Sequence, residues 1–144
     1  MRSAIGNSLL MNIVIIIVTT IILVFVGILS YSKAYRVKNR IVEVIEKYGE
    51  YDDDAKDEIA VFLKQTGYQL GNCNESSVKD KEKMKEDSKG YKYCVEEKSE
   101  GQQKKYYRVT AYVEFNFPVI NSLLEVPVSG ETKTLGVDYS DYDN

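Results

Sequence analysis

The side chains best suited to covalent chemistry in this sequence are its two cysteines, Cys73 and Cys94. Both follow an apolar run at residues 9–29, and a chain exported by that run carries them into a compartment where disulfides persist. A bridge between Cys73 and Cys94 is therefore expected, the alternative being two free thiols in a cytosolic domain. Closing a loop of about twenty residues stabilises a fold by roughly 3 kcal/mol in the chain-entropy account. Acid–base chemistry finds less to work with. The absence of His removes Ser-His and Cys-His pairs and the commonest metal ligand, and no Gly-rich phosphate loop occurs. Carboxylate pairs can come from many places among 22 acidic residues, so their presence marks no site. The triplet Asp52, Asp53 and Asp54 suggests calcium, but no Gly separates Asp52 from Glu58 as the turn of a calcium loop requires, and capping a helix is the better use. Asn74-Glu75-Ser76 matches an N-glycosylation acceptor, which matters only in a eukaryotic secretory pathway. The sequence assigns no catalytic residue, no cofactor and no metal, and it predicts a protein that is not an enzyme.

Hydrogen bonding within lipid is the other chemistry on offer, from Asn12, Thr19, Thr20 and Gly27. Their spacing puts them near one face of a helix, where small and polar residues favour helix association; the plainer reading is that Thr and Gly are simply tolerated there. The run that carries them, LLMNIVIIIVTTIILVFVGIL, holds no charge, and as a helix it rises about 30 Å, the thickness of a bilayer's hydrocarbon core. In water such a helix would need protein packed all round it, and the rest of the chain is too small and polar to provide that. A cleaved secretory signal has a shorter core and a small-residue cleavage site, whereas this core runs into Gly27-Ile-Leu-Ser-Tyr-Ser-Lys. An uncleaved or N-terminally trimmed anchor is expected, with cleavage after Ser30 or Ser32 as the alternative. The expected layout is a leader or cytoplasmic segment at 1–8, a transmembrane helix at 9–29, a soluble head at 30–137 and an acidic, frayed tail at 138–144.

Helical periodicity continues past the apolar run. Ala34, Val37, Ile41, Val44 and Tyr48, widened by Ile45, form a stripe, so one helix is predicted from about Asn7 to Tyr48 with Gly49 as its stop. A second helix follows, capped within the Asp52 to Asp54 triplet, with Ala55, Ile59, Phe62 and Leu63 on one face and Gly67 just past its end. Residues 74–90 are almost all charged or small and read as a solvated loop. The period then changes to two. Tyr91, Tyr93 and Val95 alternate with Lys92, Cys94 and Glu96; Gly101 lies in a turn; Tyr107, Val109, Ala111, Val113, Phe115 and Phe117 face opposite to Arg108, Thr110, Tyr112, Glu114 and Asn116. Pro118 ends that strand, residues 119–123 connect, and a third strand runs from Leu124 to about Val137 with a bulge or bend at Gly130 and an edge position for Pro127. The predicted fold is α+β: a long N-terminal helix with an apolar transmembrane half and an amphipathic soluble half, a second short helix, and a three-stranded antiparallel sheet whose apolar face the helices cover.

The chain has 19 basic and 22 acidic residues, interleaved rather than gathered into a basic patch, so nucleic acid is not an expected partner. Orientation in the membrane draws on conflicting signals. Lys33, Arg36, Lys38 and Arg40 after the apolar run outnumber Arg2 before it, which by the positive-inside rule favours a cytoplasmic head. The cysteines favour the opposite side, and the extracytoplasmic placement is the one expected.

This plan, an apolar helix running into an amphipathic extension, a cysteine-bearing loop and a C-terminal antiparallel sheet, resembles that of type IV pilin-like proteins. Within them it looks closest to the TadE-like minor pseudopilins, on the segments FNFPVIN at 115–121 and VPVSGET at 126–132. The resemblance implies leader cleavage after Gly6 by a prepilin peptidase, although Met11 stands where the family usually has Glu at the fifth position of the mature helix. It also implies partners: membrane lipid, other pilin-like subunits meeting this one through the N-terminal helix, and pilus assembly machinery. The expected function is a non-enzymatic structural subunit of a bacterial surface or secretion filament, a single-pass protein of the cell membrane that can pass into an extracellular filament. The alternative is a single-pass anchored, extracytoplasmic binding or sensor domain that uses its Tyr-rich sheet.

Overall fold

In a computed structural model of the chain, residues 2–73, 84–85, 88–100, 104–115 and 124–136 are described. The Asn74 acceptor, the Gly101 turn, Pro118, the 119–123 connection and the 138–144 tail lie outside the described residues, as does most of the charged loop after Cys73.

Helix α1 spans Arg2–Tyr48 without a break, so at about 1.5 Å per residue it is about 70 Å long. Its two halves differ in what surrounds them. Large apolar side chains from Leu9 to Leu29 are exposed on every side, whereas Ala34, Val37, Ile41, Val44 and Ile45 are buried. Tyr48, predicted to extend the buried stripe, is exposed and hydrogen-bonds Glu58 instead; Ile45 takes the core position at the helix end. Helix α2, Asp53–Thr66, returns alongside α1. Its start is set by Asp52, whose carboxylate accepts from the Ala55 amide at 2.8 Å, so the acidic triplet works as a cap with Asp53 and Asp54 at the positive end of the helix dipole. Its end is set by Gly67 at φ 59°, a left-handed conformation that side chains with a Cβ adopt only at a cost.

Four strands follow: β1 Met84–Lys85, β2 Tyr93–Glu100, β3 Lys104–Phe115 and β4 Leu124–Glu131. They pair antiparallel in the order β1-β2-β3-β4. The three-stranded meander is as predicted; β1 is an addition, formed inside the segment read as a solvated loop. It needs no hydrophobic pattern, because the edge of β2 offers a row of unpaired backbone groups and Met84 and Lys85 pair with Glu96 and Val95. On the inner face, Tyr93, Val95, Tyr107, Val109 and Ala111 share one core with α1 and with Ala55, Ile59 and Leu63 of α2. Val113 and Val128 close over Ala34 beside it.

Two expectations about β4 are corrected: its run to about Val137, since it ends at Glu131, and its bulge at Gly130. Gly130 makes no bulge; it pairs in register with Val109. A Cβ there would lie 2.8 Å from Cδ of Lys38, the far end of a flexible side chain that would have to shift to admit it. The break in the strand falls at Thr132 instead. Its hydroxyl accepts from the Tyr107 amide at 2.9 Å, replacing a backbone carbonyl in the ladder. Pairing resumes between Leu135 and Lys105, so the four steps from Glu131 to Leu135 oppose three from Arg108 to Lys105. Pro127 sits on β4, the outer strand of the sheet, where a missing N–H is tolerated.

Candidate functional site

Three features stand out, and each is built by a different part of the sequence. The first is the exposed half of α1. Its length and composition suffice to cross a membrane. Within it the hydroxyls of Thr19 and Thr20 donate to the carbonyls of Ile15 and Ile16 at 2.8 Å, so their protons are already satisfied inside the helix. Asn12 is exposed and Gly27 half-buried, while Gly6, the expected cleavage point, lies in the first turns of α1 with open space around it.

The disulfide is the second. Cys73 and Cys94 are bonded, with Cα atoms 5.2 Å apart, fastening the segment after α2 to β2. Cys94, Glu96, Thr110 and Tyr112 alternate onto the face of the sheet opposite the helices, and all four are buried. Part of the cover is the bridge itself: Cys73 packs on Cys94 and Tyr112. A disulfide sulfur has no proton, so the contact of 3.0 Å between Tyr112 Oη and Cys94 Sγ has the hydroxyl as donor. Glu96 was missed as a candidate because alternation placed it outside. Only 2% exposed, it lies 3.6 Å from Lys98 and 4.0 Å from Arg108, and among the described residues its Oε2 accepts no hydrogen bond.

The third feature is a cleft of about 300 Å³ at the root of the head, lined by Ser30, Lys33 and Ala34 of α1, Gly67, Tyr68 and Gln69 after α2, and Tyr112 and Val113 of β3. Lys33 Nζ donates to the Gly67 carbonyl at 2.8 Å, a cation on the negative end of α2. The Tyr68 hydroxyl fills the gap where β2 and β3 part: it accepts from the Tyr112 amide at 2.9 Å and lies 3.1 Å from the Lys92 carbonyl. Sequence reading missed this cleft because its walls come from three distant segments; the one local signal is Tyr31, Lys33 and Tyr35 clustered just past the apolar run.

Further out, α1 and α2 are joined by charge. Glu58 receives Lys47 at 2.7 Å, the Tyr48 hydroxyl at 3.0 Å and Arg40 at 3.2 Å. The hydrogen bonds from Lys47 and Tyr48 hold its carboxyl below the ordinary glutamate range. On the sheet, Arg108 is held protonated more firmly still by its bond to Glu131. Two of the four basic residues counted against an extracytoplasmic head thus reach other elements of the head, Lys33 on Gly67 and Arg40 on Glu58, while Lys38 lies over the Tyr35 ring of its own helix at 4.3 Å.

Fold and site define a class, a small disulfide-closed α+β head carried on one long helix whose free half is apolar. No protein-family model, curated protein or solved structure matches the chain.

Proposed function

We propose that this chain is a pilin-like structural subunit, non-enzymatic and single-pass, which assembles with other pilin-like subunits through the exposed half of α1. The observation that carries the reading is one helix with two environments. Its C-terminal half is the spine of the head, and its N-terminal half is apolar and exposed on all sides among the described residues. Lipid covers that half while the subunit waits in the cell membrane; neighbouring helices would cover it in a filament, where side-chain packing and any hydrogen bond from Asn12 replace lipid contacts. An extracytoplasmic head is supported by the disulfide, which persists in oxidising compartments, and by the engagement of Lys33 and Arg40 with the head. Processing after Gly6 by a prepilin peptidase belongs to the same proposal.

Shearing the producing cells tests it. The protein is expected in the sheared filament fraction, with a mature N-terminus at Asn7. A chain that stays wholly in the membrane fraction as a monomer with Met1 retained overturns the proposal. That result would favour an anchored binding domain, a reading that the cleft at the root of the head supports.

A further inference from the structure

The end of the head nearest the apolar run carries a set of features that a free-standing protein surface has no reason to combine. Tyr31 and Tyr35 are 51% and 47% exposed and stack on each other, with ring centroids 6.3 Å apart. Leu70 is 73% exposed, the most exposed of the large apolar residues among those described. Lys33, Arg36 and Lys64, the last in the final turn of α2, are exposed basic residues at the same end. Between them opens the cleft, with Ser30, Lys33 and Gln69 on its walls alongside the apolar Ala34 and Val113.

Their height along α1 can be worked out. Lys33 follows Leu29 by four residues, about 6 Å of helix, and the headgroup layer on each side of a bilayer is about 5–7 Å thick. Tyr31 and Lys33 therefore fall within that layer and Tyr35 at its outer margin. The bond from Lys33 to the Gly67 carbonyl brings the end of α2 to the same level, and Leu70 lies three residues beyond Gly67. Tyrosine is the residue that interfaces between lipid and water select, since its ring is apolar and its hydroxyl is wet. Lys33 uses one of three ammonium donors on Gly67, which leaves two for an anion. Across the rim Glu125 is engaged with Lys92, so that acid does not oppose one.

We infer that this rim is a lipid-docking surface: Tyr31, Tyr35 and Leu70 lie against the headgroup layer, with Tyr31 nearest the acyl chains, and Lys33, with Ser30 and Gln69 beside it, takes a phospholipid phosphate into the cleft. The inference rests on residues 9–29 crossing the bilayer, not on filament assembly. Docking holds the head against the membrane, and leaving the bilayer for a filament would require this rim to be released.

Hydrogen exchange of the backbone at residues 64–72 provides the test, on the full chain. It is measured in nanodiscs of equal phosphatidylglycerol and phosphatidylcholine and in maltoside micelles, the micelles with and without inorganic phosphate. Exchange is expected to be at least about fivefold slower in the discs, with about fivefold of protection lost for each basic residue removed. Lys33→Gln also loses the Gly67 contact, so Lys64→Gln and Leu70→Ser, both at exposed positions, serve as the second pair of variants. Equal exchange in discs and micelles, or protection unchanged in all three variants, overturns the inference. So does inorganic phosphate in micelles reproducing the slowing, which would mean a soluble anion site. A chain that fails to enter the discs overturns the membrane-spanning reading as well, whereas one that enters without protection overturns the docking surface alone.

Discussion

Cys94 shows how one residue can hold together what propensity leaves loose. The segment between Cys73 and β1 has few apolar residues with which to find a packed position, and the bridge supplies the constraint that burial does not. Replacing both Cys73 and Cys94 by Ser is expected to lower stability by about 3 kcal/mol through loop entropy. Urea melts of the oxidised protein, the reduced protein and the double variant check this; the last two should coincide. The two cysteines were legible as a pair because there are only two. Glu96 was not legible, because strand alternation tells which face a side chain takes but not whether that face is covered. Gly130 is a similar case. A glycine within a strand suggests a bulge, whereas here it pairs in register and lies under the end of the Lys38 side chain, which arrives from α1.

Among the elements, the C-terminal ends of α1 and α2 were readable, since a period of 3.6 broken by Gly49 and Gly67 is a local signal, whereas α1 starts at Arg2 rather than near Asn7. The strand pair β2 and β3 was readable for the same reason at a period of two. What joins the helices was not, because Glu58 meets Arg40, Lys47 and Tyr48 only after α2 turns back on α1. This joint has a pH dependence with a definite sign. The folded-state pKa of Glu58 is depressed by its partners, so the stability it contributes is present above the unfolded-state value of about 4.3 and is lost as pH falls through the lower folded-state value. Chemical denaturation between pH 7 and 3 should therefore show Glu58→Gln to be less stable than the parent at neutral pH, with the difference shrinking toward pH 3. A constant difference would mean that Glu58 acts through packing rather than charge. The short β1 had no signal at all, because two residues of backbone pairing need no side-chain pattern.

For the molecule as a whole, the question is what the free half of α1 meets. Thr19 and Thr20 donate within their own helix, which leaves Asn12 as the polar side chain of the stripe with donors to offer a neighbour and Gly27 as its point of close approach. Interhelical hydrogen bonds in lipid are worth about 1 kcal/mol, so one substitution is too little to break an assembly with many contacts. If the proposed assembly holds, Asn12→Leu combined with Gly27→Leu is expected to reduce co-purification with partner subunits while leaving the melting of the head unchanged. Unchanged co-purification would place the association elsewhere than on this stripe.

By itself the sequence determined every element but β1: a helical half long and apolar enough to span a membrane from length and absence of charge, two helices from period and caps, and a meander from alternation. These are decided by interactions a few residues apart, which a linear reading contains. Only the tertiary structure decided that the second face of the sheet is covered at Cys94, Glu96, Thr110 and Tyr112, and that the strand breaks at Thr132 rather than Gly130. It also decided that residues 30–34, 67–69 and 112–113 meet in one cleft beside the apolar run. Each of these depends on groups brought together across long stretches of chain, and burial and close approach are properties of the surroundings rather than of the residue.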